Sequence, residues 1–186
     1  EPAYLETLTQ KTLGVVSANQ TGNLNLQHNF QNGGGQLTAD FDLAHFSRDF
    51  DNNLVTETLV SPDQIPPPAG LFTQMPTNID IRTFKTDYNR SLGNTWKLEV
   101  GLKSSSVRSD NNVVFYRGEA GKLEFDADLS NHFRYTERVN AAYASFSGKL
   151  PAKTDLMVGL RTEQTHSEGN SLTLNQVVKR NYLNFF

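Results

Sequence analysis

The residues able to do chemistry in this 186-residue chain are few and dispersed. His28, His45, His132 and His166 could ligate a metal, but none has a histidine or carboxylate at ligand spacing, so surface or rim positions are expected. With no cysteine, thiolate metal sites and disulfides are both excluded. Glu124, Asp126 and Asp128 could imitate a Ca²⁺ site; the plainer reading of alternating carboxylates is the solvated face of a strand. Gly33-Gly34-Gly35 lacks the lysine and Ser/Thr of a phosphate loop and reads as a tight turn. Serine, histidine and aspartate are plentiful, yet no Gly-x-Ser-x-Gly elbow is present. Trp96 and the tyrosines could stack on a sugar, although core or membrane-interface positions are the commoner use. The chain therefore has no assignable catalytic residues, metal ligands or cofactor, its ligand-binding residues are undetermined, and it is not expected to be an enzyme.

What remains is architecture. Seventeen basic and twenty acidic side chains give a net charge of −3, spread without blocks, which excludes the concentrated basic footprint of a nucleic-acid binder. The apolar runs fall far short of the roughly 20 residues of a transmembrane helix. Glu1-Pro2-Ala3-Tyr4 lacks the basic start of a signal peptide, which predicts a mature or excised segment. A mean hydropathy of −0.51 would suit a soluble protein, but it also suits a barrel whose strands are apolar on one face and whose loops are polar. Twelve Phe and six Tyr favour strands, so the expected class is all-β.

Period-two alternation supports this. Leu24, Leu26 and Phe30 precede Asn32-Gly33, and Leu37, Ala39, Phe41 and Leu43 follow it, a strong hairpin signal. Ile79 and Ile81 alternate with Asp80 and Arg82; Trp96, Leu98, Val100 and Leu102 with Lys97, Glu99 and Lys103; Leu156, Val158 and Leu160 with Asp155, Gly159 and Arg161. The predicted hairpins are Leu24–Phe30 with Leu37–Ala44, Ile79–Arg90 with Trp96–Val107, and Phe133–Ser147 with Leu156–Thr165. No helix longer than two or three turns is expected.

The connections between these strands alternate in length. Asn32–Gly35, Ser91–Thr95 and Lys149–Thr154 are short; Asp51–Thr77, Arg108–His132 and Ser167–Arg180 are long. In an antiparallel meander, this order gathers the short turns at one end of the sheet and the long loops at the other. That asymmetry is typical of transmembrane barrels and unusual in compact soluble domains. The prolines of Ser61–Pro76 are expected to prevent any ladder there. Within Arg108–His132, short alternating pieces suggest a small hairpin extending the sheet beyond the membrane.

Specific motifs follow the same frame. Phe133-x-Tyr135-x-Glu137, Ala141-Ala142-Tyr143-x-Ser145-Phe146 and Gly159-Leu160-Arg161-x-Glu163-x-Thr165 follow Asp87-Tyr88, Leu92-Gly93 and Lys97-Leu98-Glu99-x-Gly101-x-Lys103. The final Tyr182-Leu183-Asn184-Phe185-Phe186 looks like the start of a further strand. Over residues 79–186 the chain resembles the outer-membrane β-barrel domain of TonB-dependent-receptor-like proteins of Gram-negative bacteria; residues 1–78 agree in character only. The resemblance implies an antiparallel up-and-down meander, with residues 1–186 forming part of a barrel of about 22 strands with a plugged lumen. No plug domain is present in these residues. It further implies outer-membrane localisation and TonB-dependent-type uptake or surface binding. Its implied partners are membrane lipid, the remaining strands and plug of a parent protein, TonB through that parent, and a surface ligand.

Opposed residues on adjacent strands share a face. Ala142 opposite Leu160, Ala144 opposite Val158 and Phe146 opposite Leu156 would form an apolar lipid-facing set. Arg161 and Glu163 would then face the lumen with Glu137, Tyr143 and Ser145, pairing across its wall. The alternative architecture is a soluble β-sandwich or adhesin-like module, which would bury one face of each strand in a shared core.

Overall fold

The computed structural model describes residues 5–60, 67–151 and 154–186. They form one antiparallel sheet: β1 (Leu5–Asn29), β2 (Gln36–Val60), β3 (Ala69–Gln74), β4 (Thr77–Leu92), β5 (Trp96–Glu119), β6 (Lys122–Leu150), β7 (Thr154–Ser171) and β8 (Gln176–Phe185). β3 and β4 occupy the same place between β2 and β5. Asp51 faces Gln74 and Arg48 faces Thr77, so the register against β2 is unchanged across Met75-Pro76. Pro76 has no N–H to give to the ladder, and the break is bridged by Met75 N–H donating to Phe50 O (2.8 Å) and Asn112 N–H to Pro76 O (3.1 Å). The sheet is thus a wall of seven strand positions joined in sequence.

The three expected hairpins form. Leu24 faces Phe41, Arg90 faces Leu98, and Ser147 faces Met157. The Asn-Gly turn uses left-handed backbone at Asn32 (φ 55), Gly33 (φ 74) and Gly35 (φ 89), closed by Phe30 N–H to Gly35 O at 2.9 Å. In the last hairpin the register slips by two residues from expectation: Phe146 faces Val158 and Ala144 faces Leu160. A slip of two preserves the face of every side chain, whereas a slip of one would have inverted the wall. The slip lets Gly148, opposite both Trp96 and Leu156, lie beneath the Trp96 ring.

The long loops expected at Asp51–Thr77, Arg108–His132 and Ser167–Arg180 are mostly strand, and the small hairpin expected within Arg108–His132 forms, closing where Glu119 faces Lys122. β2 runs on to Val60, β3 pairs with both neighbours inside the proline-rich stretch, and Ser171 pairs with Gln176 across a four-residue turn. The expectation of an unpaired Ser61–Pro76 fails for Ala69–Gln74, while residues 61–66 lie outside the described residues. The reason is environmental. Where both faces of a strand meet water, pairing imposes little apolar–polar alternation. Polar runs such as Ser104–Ser106 and Ser109–Asn112 therefore extend β5 without a periodic signature.

β6 is 29 residues long, and a barrel strand needs about 9–11 to cross a bilayer. The excess lies on one side. The turns after β1 and β4, and the end of β6, meet at one edge, since Gln36 faces Asn89, Leu92 faces Trp96 and Trp96 faces Gly148. At the opposite edge the β5–β6 hairpin continues from Asn111 to Glu119, roughly 25 Å beyond the end of β7.

Among the described residues only one hydrophobic side chain, Ala141 at 6% exposure, is buried. Val158 stays 60% exposed. A sandwich would stack a second sheet on this surface, whereas all eight strands belong to one layer, which rules out the β-sandwich alternative.

Candidate functional site: a two-faced membrane wall

The ladder registers assign each side chain to a face. One face carries Leu24 and Leu26 of β1, Leu37 to Leu43 in alternation on β2, Phe84, Thr86 and Tyr88 of β4, and Trp96 to Leu102 in alternation on β5. Ala142, Ala144 and Phe146 of β6 and Leu156, Val158 and Leu160 of β7 complete it. The six residues named from sequence thus share an apolar face, as expected. On β2 and β5 the run is about 20 Å along the strand, close to the ~25 Å apolar band of an outer-membrane barrel. Its upper edge is stepped. It falls from Leu43, in line with Ser106, through Phe84, in line with Ser104, to Leu102 and then Leu160, in line with Val100. Strands tilted in a barrel wall require such a stagger for a level band.

The opposite face is a polar ladder. Asn23 Nδ2 donates to Asp42 Oδ1 at 2.7 Å, with Asn25 on Asp40 one repeat along. Gln36 bridges Asn29 (2.9 Å) and Asn89 (3.3 Å) across three strands. Lys85 pairs with Asp87 at 2.6 Å, Lys97 pairs with Glu99, and the Tyr143 hydroxyl donates to Asp87. Gly101 lies opposite both Asp87 and Tyr143, and its bare Cα leaves the space over which the tyrosine ring reaches that carboxylate. Arg161 and Glu163 share this face but pair with each other along β7 at 2.7 Å. The expected cross-wall pairing is replaced by a same-strand contact, because residues two apart on a strand point the same way.

Trp96 stacks on Phe146 (ring centroids 4.7 Å, interplanar angle 13°) at the short-turn end of the band. Phe30 meets Tyr88 edge-on at 6.1 Å, and the Tyr88 hydroxyl donates to Gly34 O at 2.6 Å. These aromatics mark one membrane interface, the position favoured by amphipathic rings. Beyond the band's other edge the faces exchange character. Asp80, Arg82, Arg108 and Arg138 point outward, while Phe46, Ile79, Ile81 and Val107 point inward. The sequence carries this inversion as a change of phase, with Ile79 and Ile81 on odd positions of β4 and Phe84, Thr86 and Tyr88 on even ones.

The histidines are not brought together. His28 packs edge-on against Phe30, His45 pairs with Asp80 at 2.8 Å, His132 pairs with Asp110 at 2.7 Å, and His166 faces Arg138. The acidic triplet is broken by an irregularity where Val113 pairs with Asn131 but Phe115 pairs with Asp126. Asp126 is buried there, its Oδ1 accepting the N–H groups of Asp128 (3.1 Å) and Leu129 (3.2 Å) while Arg117 pairs with Oδ2 at 2.8 Å. It organises a bulge in the outer hairpin.

Asp110 gives a pH prediction outside the membrane. Burial pushes its carboxyl up, but hydrogen bonds from His132 and Arg134 (2.8 Å) outweigh this and hold it below the ordinary carboxylate value. A depressed pKa stabilises the fold above the unfolded value, and that contribution is lost as pH falls through the folded one. Amide protection at the base of the β5–β6 extension, taken relative to the intrinsic exchange rate at each pH, should therefore fall only as pH drops below about 4. Asp110→Asn should remove that pH-dependent fall in protection over the same interval.

A single-layer antiparallel wall with one apolar band and one polar face belongs to the transmembrane β-barrel class. The outer membrane protein beta-barrel family matches residues 28–186, and the chain belongs to that family. It is an outer-membrane protein segment of a Gram-negative bacterium, and an apolar band of this height is the part of such a wall suited to lipid. The match reaches well upstream of residue 79, where the sequence motifs begin. No curated protein matches the chain. Solved structures similar to it include the unliganded ferric citrate transporter FecA, at 13% identity and a TM-score of 0.48 over 98% of this chain and 32% of that one. The ferric yersiniabactin uptake receptor FyuA from Yersinia pestis aligns over 91% of this chain and 34% of that one, at 13% identity and a TM-score of 0.38. The chain thus spans about a third of each.

Proposed function

We propose that residues 1–186 form part of the wall of an outer-membrane receptor whose work is TonB-dependent uptake or surface binding of a ligand, not catalysis. The observation carrying this reading is the two-faced sheet with its staggered apolar band. The smallest membrane barrels have eight strands, and this wall has seven strand positions, with the outer edges of β1 and β8 unpaired among the described residues. Exposed edges recruit further strands, so the partners of β1 and β8 are other strands of the parent barrel. The inward apolar cluster of Phe46, Ile79, Ile81 and Val107, above the band, suits packing against a plug within the lumen. The strand extensions, beyond the end remote from the short turns, are the surface offered to an external ligand.

The test is ligand depletion by cells expressing the full-length gene product, with and without a protonophore and in a strain lacking TonB. Uptake that collapses without energy or TonB supports active transport. Binding unaffected by either leaves a surface receptor, and a product confined to the soluble fraction overturns both.

A further inference from the structure

We propose that the outward face just above the apolar band is a binding site for the phosphorylated glycolipid of the outer leaflet. Arg82, Arg108 and Arg138 line a cleft of about 200 Å³ together with Asp80 and Ser106. All three arginines are exposed, and among the described residues none forms an ion pair. Asp80, the acid in the cleft, is held by His45 at 2.8 Å. The local charge is therefore positive in a chain whose net charge is −3.

Position gives this charge its meaning. Arg82 follows Phe84 at the next outward position of β4, and Arg138 lies two outward positions beyond Ala142 on β6. Arg82 and Arg138 both face Ser106, one strand on either side, about 10 Å apart. Arg108 is the next outward residue of β5 after Ser106. The cleft sits on the side of the long strand extensions, hence at the headgroup level of the external leaflet, whose lipid carries phosphates on a sugar backbone. Guanidinium groups bind phosphate bidentately, and their aliphatic stems can lie along the adjoining apolar surface.

Directly below, on the same face, Thr86, Tyr88, Leu102, Ala142, Ala144 and Leu160 line a shallow groove of about 450 Å³. The alanines create it by leaving space between larger neighbours, and its lining suits an acyl chain. Headgroup and tail sites are thus stacked in the order a lipid presents them. This assignment rests on the membrane orientation derived above.

The test uses the purified full-length protein in detergent and native mass spectrometry with three probes: bisphosphorylated lipid A, the same lipid with both phosphates removed, and inorganic phosphate. The bisphosphorylated lipid should bind at least tenfold more tightly than the dephosphorylated one. The triple variant Arg82→Gln, Arg108→Gln, Arg138→Gln should lose that difference, while Lys103→Gln on the lumen face should keep it. Equal binding of the two lipids by the unaltered protein overturns the proposal, whether or not the triple variant assembles. Displacement of lipid A by an equal concentration of inorganic phosphate also overturns it, by reducing the cleft to a simple anion site. A protein that assembles normally yet shows no phosphate preference would leave the barrel reading intact and end this one.

Discussion

Val158→Arg in the full-length protein should sharply reduce the fraction that reaches the heat-modifiable, assembled form. Val158 lies at the centre of the apolar run on β7, between Leu156 and Leu160, and faces Phe146 on β6. A charge there must be desolvated in hydrocarbon, at a cost of about 2–4 kcal/mol near the midplane. Arg161→Gln, three residues further along, should be milder. Its guanidinium is already partly exposed on the lumen face, and water can solvate the Glu163 left behind. Normal assembly of the Val158 variant with collapse of the Arg161 variant would reverse the assignment of faces.

Gly101→Val should destabilise the barrel by about 1–3 kcal/mol through overpacking. A Cβ at this position would collide with the Tyr143 ring and lie 2.7 Å from Asp87 Oδ1, forcing the tyrosine off its carboxylate. Lys85 would still hold Asp87, so the loss falls on the ring packing and one hydrogen bond. In a Tyr143→Ala background, urea titration should show most of the Gly101→Val penalty gone, because the two substitutions act on the same contact. Additive penalties would mean that the glycine serves another purpose, such as local twist.

How far these sites could be read in the sequence depended on the solvent around each stretch. Leu37–Leu43, Trp96–Leu102 and Leu156–Leu160 were legible because lipid on one face and an aqueous lumen on the other impose strict alternation. The same rule kept Arg161 and Glu163 together and off the lipid, even though the pairing register was two residues from expectation. Leu5–Asn23 and the distal part of β2 were not legible, because with water on both faces polar strands and loops have similar composition, whereas the β5–β6 extension was legible as a small hairpin but not in its register. Asp126 looked like one member of an alternating acidic face, and only the bulge beside Phe115 buried it against Arg117.

The sequence by itself determined the class, the strands that cross the membrane and the face each presents, since period-two hydrophobicity is a local property of the chain. Tertiary structure alone decided what lies side by side. Arg82, Arg108 and Arg138 come from three strands and are separated by dozens of residues, so only the β4–β5–β6 register gathers them at one height above the apolar band. Gly101 likewise appears as an ordinary strand glycine until pairing places Tyr143 on one side and Asp87 on the other. Register is a sum over whole ladders and their turns, and no short window of sequence contains it.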